Sequence, residues 1–203
     1  MLTGPEYLDP ELFEYLPDFL SAGEADAALA TLWRELDWSQ REITLFGRRV
    51  MQPRLVAWYG DAGAVYRYSG LQWTPLPWHP VLSDLKTRLE RAGRCRFNAV
   101  LANAYRDGRD SMGWHSDDEK ELGDEPVIGS LSLGATRRFL LRPRRRNTAL
   151  PGSTIALPLD HGSLLLMRGL SQQRFQHALP RTRRPVGLRI NLTYRLVDVQ
   201  ALV

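Results

Sequence analysis

In the stretch "WHSDDEKE", residues 114–121, one histidine precedes four acids. His115 and Asp117 stand two positions apart, so in an extended segment their side chains project to the same face. Together they could offer a divalent metal one nitrogen and one oxygen. A third ligand is needed, and the chain has four histidines: 79, 115, 161 and 177. His177, in the short extended segment "QRFQHALP", is the candidate. Two histidines and one carboxylate on one side of a metal leave open positions for a cosubstrate and O₂, the arrangement of non-haem Fe(II) oxygenases. Alone, this triple is a common pattern, and a turn with solvated acids fits residues 115–121 as well.

The segment "RINLTYRL", 189–196, adds to it. Read with period two, Arg189, Asn191, Thr193 and Arg195 share one face, and Ile190, Leu192, Tyr194 and Leu196 share the other. An apolar face on a core and a polar face with two cations suit a strand lining a cavity that takes an anion such as a dicarboxylate. The two arginines lie about 20 Å apart on an ideal strand, so they serve different parts of a site. Upstream, in "FNAVLANAYRDG", Asn103 and Tyr105 share a face at the end of an apolar strand. They suit hydrogen bonds to a carboxylate, or a strand-end cap.

These residues need elements to position them. The 203 residues, 43% hydrophobic and 25% charged, suffice for one domain with a full core. Ser21 and Glu24 form a capping box before a helix expected over 22–36. A second helix is expected over 80–92, stopped by Gly93. Short strands follow: "FNAVLANAY", "VIGSLSLG", "RRFLLRP", "STIALPL", "GSLLLMRG", "QHALP" and "RINLTYRLV". Turn residues separate them every ten or so positions, as in a sandwich, barrel or jelly roll. Residues 42–76 hold further short strands. The fold class expected is mainly β with flanking helices, as one domain over 1–203.

Charge and cysteine content bound the rest. Net charge is +4, and arginine supplies nearly all of the positive charge, clustered at 91–96, 137–146 and 181–184. Arginine suits bidentate phosphate contacts, so nucleic acid is one reading and an arginine-rich surface the other. Cys95 stands alone, which excludes an internal disulfide. No run of 18 apolar residues is present to span a membrane, and the acidic N-terminus reads as no signal peptide. A cytoplasmic monomer is expected, associated with the nucleoid if the source is bacterial.

The set "NAYRDGRDSMGWHSDDE … HGSLLLM … QHALP … RINLTYR" closely resembles the AlkB family of Fe(II)- and 2-oxoglutarate-dependent dioxygenases. The family pattern N-x-Y-x-D-G, H-x-D, a distal H and R-x-N-x-T/S-x-R is present in order over about residues 97–198. The likeness extends upstream to about Leu45 and is nearest the DNA-repair branch. It implies a double-stranded β-helix (jelly roll) core over 95–203, with helices and a nucleotide-recognition lid in 1–94.

The resemblance also implies roles. His115, Asp117 and His177 would ligate Fe(II). Arg189, assisted by Tyr105 and Asn103, would pair with the distal carboxylate of 2-oxoglutarate, while Asn191 and Arg195 would support the end near the iron and Asp117. O₂ would be the oxidant. Alkylated DNA, single- or double-stranded, would be the partner and direct-reversal repair of bases such as 1-methyladenine and 3-methylcytosine the activity. A methylated pairing edge is unreachable inside a duplex, so the base must be flipped or already single-stranded. Tyr68 would stack on it, with Ser69 nearby, and Glu119 and Asp118 would lie near its edge. Phe46, in "LFGRR", would wedge into the base stack, and Arg48, Arg49 and the run at 142–146 would meet phosphates. His79 and His161 are read as structural. RNA as substrate, a binding module with an inactive metal site, and a hydrolytic zinc site remain as alternatives.

Overall fold

The first helix starts where its capping box directs. Ser21 N donates to Glu24 Oε2 at 2.9 Å and Glu24 N donates back to Ser21 Oγ at 3.4 Å. The helix, α1 (Ala22–Glu35), buries Ala25, Ala28 and Leu32 along one stripe. The second, α2 (Pro80–Gly93), starts with proline after His79, whose ring nitrogen accepts from Val81 N. Leu82, Leu85 and Leu89 form its buried stripe. Its end differs from expectation. Gly93 is the last helical residue, and Arg94 is the one in the left-handed region, at φ 49°. A Cβ at position 93 would sit 2.8 Å from Cys95 Sγ, so the glycine permits close approach rather than a turn.

The computed structural model describes residues 1–45, 48–68, 71–144 and 153–198. Short strands open the chain: β1 (Leu2–Thr3), β2 (Phe13–Leu16), β3 (Glu42–Leu45), β4 (Arg48–Met51), β5 (Leu55–Gly60), β6 (Tyr66–Tyr68) and β7 (Leu71–Trp73). After α2 come β8 (Ala99–Tyr105), β9 (Met112–His115), β10 (Ile128–Gly134) and β11 (Arg137–Pro143). The last are β12 (Ile155–Leu159), β13 (Leu164–Met167), the one-turn α3 (Ser171–Arg174), β14 (Phe175–Leu179) and β15 (Arg189–Arg195).

The strands form a six-stranded sheet, in the order β2-β13-β10-β15-β8-β5, and a five-stranded sheet, β1-β12-β11-β14-β9. β3–β4 and β6–β7 are separate hairpins. This is the expected mainly-β jelly roll, with β1, β2 and β5 from the N-terminal part built into its sheets. Alternation sorts the larger sheet's side chains into two cores. Ile190, Leu192 and Tyr194 of β15 join Leu32, Leu82 and Leu89 of the helices, so both helices cover that face. Leu101, Ile128 and Met167 meet Leu141, Leu157 and Leu159 of the smaller sheet between the layers. The seven strands expected after residue 96 are all found, and Met112–His115 is an eighth that the turn-rich sequence around it concealed.

The strand 189–195 is buried on both faces, so its polar row lies in the protein interior. Leu196, assigned to the apolar face, falls past the strand's end and is 51% exposed. Among the described residues, no helix is long and apolar enough to cross a membrane.

Candidate metal and cosubstrate site

β9 and β14 are antiparallel neighbours, and their register sets His115 opposite His177. The two rings lie 4.1 Å apart, centroid to centroid. Asp117 follows two residues after β9 ends, and one ligand atom from each of the three falls within 4.8 Å of the others. The cluster is set between the sheets, with Asp117 1% and His177 5% exposed.

The electrostatics suit a cation. Burial pushes the His177 imidazole down to about 3, with nearby His115 adding to the effect. Burial also lowers His115. Both rings are therefore neutral at neutral pH and carry a lone pair for a metal. His115 Nδ1 lies 2.8 Å from Gly113 O, which fixes the proton there and leaves Nε2 as the donor atom. Burial opposes the charge on Asp117, but Arg195 together with His177 and His115 outweighs it, and the carboxyl is held below the usual range. Arg195 Nη2 donates to Asp117 Oδ1 at 2.7 Å, both side chains being almost fully buried.

The far end of the same cavity has a different character. Arg189 is 2% exposed; its Nη2 donates to Ser132 Oγ at 2.9 Å, and its Nε is buried with no protein acceptor. Among the described residues no carboxylate forms an ion pair with it, and the ring of Tyr105 lies 5.4 Å from the guanidinium. Burial pushes Arg189 down to about 10, so it stays charged at pH 7. Cross-strand register produces this grouping, for Arg189 lies opposite Tyr105 and Asn191 opposite Asn103. One cavity is lined by His115, Asp117, His177, Asn103, Tyr105, Arg189, Asn191, Thr193 and Arg195. A buried, partly unpaired guanidinium facing a neutral-imidazole and carboxylate cluster fits a metal chelated by an anion with a second carboxylate.

Details differ from residue to residue. Asn191 donates to Ser130 Oγ and Leu131 O and accepts from Thr193 Oγ1, so it meets the sheet rather than Asp117. Asp118 accepts from Arg144 Nη1 at 2.6 Å near the surface. Glu119 is half-buried and precedes a single 3-10 turn. Tyr68 ends β6 and Arg48 begins β4, each on a hairpin outside the sheets. Phe46 and Ser69 lie outside the described residues. His79 bridges to Glu35 at 3.1 Å, and His161 ties Gly134 N to Asp26, as structural histidines do.

Two buried arginines escaped sequence reasoning. Arg54 Nε donates to Asn103 Oδ1 at 2.8 Å, and its Nη2 has no protein acceptor. Arg137, which the sequence groups with a basic surface run, is 4% exposed and donates to Asp107 O, Asp110 O and Pro180 O. An arginine on a strand looks the same whether it faces water or backbone carbonyls. The Arg142 guanidinium covers the Trp114 ring at 4.1 Å, and Gln176 holds that guanidinium in place.

Comparison with known proteins agrees with this arrangement. A solved structure of OsALKBH1 superposes with a TM-score of 0.63 at 18% identity, covering 93% of this chain and 99% of the other. A prolyl hydroxylase from Trichoplax adhaerens gives 0.63 at 15%, covering 95% and 87%. These two establish the fold. In sequence, the chain is 42% identical over 186 residues to human alpha-ketoglutarate-dependent dioxygenase alkB homolog 3, with 89% of this chain and 64% of that protein's length covered. It is 39% identical over 180 residues to the mouse DNA oxidative demethylase ALKBH2, covering 86% of this chain and 75% of that one. The chain thus spans less than two thirds of the first of these relatives. The model of the family described as 2OG-Fe(II) oxygenase superfamily matches residues 13–195, nearly the whole jelly roll with both ends of its cavity, and the chain belongs to that family.

Proposed function

We propose that this chain removes alkyl groups oxidatively from bases of the 1-methyladenine and 3-methylcytosine type in DNA, using Fe(II), O₂ and 2-oxoglutarate. The observation that carries the reading is the shared cavity: three metal-competent side chains at one end and a buried guanidinium without a carboxylate at the other. Similarity to proteins named for DNA oxidative demethylation supports the substrate class.

His115, Asp117 and His177 would hold the iron. Arg195 fixes one oxygen of Asp117, leaving the other for the metal. Arg189, with Tyr105 and Asn103, would take the distal carboxylate of 2-oxoglutarate. When bound, iron and cosubstrate supply oxidation of the N-alkyl carbon by O₂, giving succinate, CO₂ and, once the hydroxylated group is lost, formaldehyde. Phe139, 5.2 Å from the His177 ring, helps to keep water from the site. No protein nucleophile is required. The hairpins β3–β4 and β6–β7, within residues 1–94, would form the recognition lid of a single domain, with Tyr68, Ser69, Glu119 and Asp118 toward the base. Phe46 would fill the gap left by a flipped base, and Arg48 would meet phosphate. The chain would act as a cytoplasmic monomer.

Mass spectrometry of oligonucleotides bearing N1-methyladenine or N3-methylcytosine tests this. Single-stranded DNA, duplex DNA and RNA are compared with and without 2-oxoglutarate under Fe(II) and air. Loss of the methyl mass from DNA only with cosubstrate is the expected result. Consumption of 2-oxoglutarate with every methyl retained would discard nucleic-acid repair and keep the oxygenase; loss from RNA alone would move the substrate. On the same panel, Phe46→Ala is expected to impair duplex repair more than single-strand repair.

A further inference from the structure

The ligand loop is fastened to the segment that precedes the third ligand by three successive residues. Ser116 Oγ donates to Phe175 O at 2.8 Å. Asp117 N donates to Gln172 Oε1 at 2.9 Å. Asp118 accepts from Arg144 Nη1, and the same nitrogen reaches Gln172 O at 3.2 Å. Of these contacts, only one is a side-chain bond to a ligand's own backbone, and it comes from Gln172.

We propose that Gln172 is a positioning residue that sets Asp117 for metal binding; the inference rests on the metal reading above. Asp117 is then held at both ends, its amide by Gln172 and its carboxylate by Arg195. Gln172 is 2% exposed, and the bond to the Asp117 amide is the shortest its side chain makes. Its Nε2 has Ser171 Oγ at 3.3 Å and Met167 Sδ at 3.5 Å, and a thioether is a weak acceptor. Flipping the amide would set two donors against each other at Asp117 N, so the Asp117 amide fixes the orientation. An apolar side chain of the same size would leave the buried Asp117 N–H without its acceptor, so the Gln172 amide's place here is explained by what it holds. Partners of this kind typically change metal affinity about 10- to 100-fold.

The test is titration of the metal-free protein with Co(II) alone, followed by its visible absorption, alongside the melting temperature. Gln172→Met keeps the volume and removes the acceptor. It is expected to weaken Co(II) binding by about tenfold or more, with the Co(II) spectrum altered. Met167→Leu, which removes only the sulfur, is expected to bind as the wild type does. Should Gln172→Met fail to fold, Gln172→Asn, which withdraws the oxygen by one methylene, is read in its place. Unchanged affinity with a lowered melting temperature overturns the positioning role, as does equal weakening in Met167→Leu. Failure of the wild type itself to bind Co(II) overturns the metal reading, and this inference with it.

Discussion

The two ends of β15 carry the same side chain in the same degree of burial and treat it in opposite ways. Arg195 has its carboxylate, Asp117 Oδ1, at 2.7 Å. Arg189 has a serine hydroxyl, an aromatic ring and a buried Nε without a protein acceptor. A buried guanidinium can be held by a counter-ion, as Arg195 is, or by backbone carbonyls, as Arg137 is; among the described residues Arg189 has neither. Five residues of strand separate a charge paired within the chain from one that, in the function proposed above, would take a ligand.

The sharpest consequence concerns the metal end. Asp117→Ala or His177→Ala is expected to bring cosubstrate turnover to the background level, measured as succinate release. Asp117→Ala also strands Arg195 in the interior. Next in size, Arg195→Met leaves the Asp117 carboxylate buried alone, and metal-free protein should lose about 3–5 kcal/mol in denaturant unfolding. Arg189→Met should do the reverse, leaving stability within about 1 kcal/mol of wild type while KM for 2-oxoglutarate rises at least about thirtyfold. Equal destabilisation by the two methionines would break the comparison. In the metal-loaded wild type, 2-oxoglutarate at a hundredfold its Kd should add about 2.7 kcal/mol of stability, and Arg189→Met should lose most of that gain.

The smallest expected effect is on pH dependence, and it belongs to the metal end only. The folded His177 holds its proton only below about 3, while an unfolded histidine takes one near 6.5. The unfolded state therefore binds more protons between these values, and stability falls as pH drops below about 6.5. Asp117 adds its own loss only below the ordinary carboxylate range, because its folded value is depressed. Unfolding of metal-free protein at pH 7 and pH 5 isolates the histidine part, and His177→Gln should reduce it to the share of His115, which burial also lowers. No such slope is expected from Arg189, which stays charged throughout.

Much of this was legible beforehand, for reasons that differ between residues. His115, Asp117 and the row Arg189, Asn191, Thr193 and Arg195 were readable because a strand's period is two and needs no partner to be known. The helix starts were readable because caps are local. What the row faces was not: both sides of β15 are buried, and only strand pairing with β8 and β10 reveals that. Arg54, Arg137 and Gln172 were hidden because their meaning lies in residues 49 and 55 positions away or in backbone carbonyls that no sequence pattern marks. Arg195's direct bond to Asp117 was expected only through resemblance and has here a geometric basis in the burial of both.

The acidic first residues pair with strands far along the chain. β1 lies parallel to β12 at Leu2↔Ile155, and β2 lies antiparallel to β13 at Phe13↔Met167, so the first sixteen residues close one edge of each sheet. β1 needs β12, complete at Leu159, and β2 needs β13, complete at Met167, so both pairings join segments about 150 residues apart. Contacts of such long sequence separation form slowly, and until they do the outer backbone amides and carbonyls of β12 and β13 are rows onto which a second chain could pair.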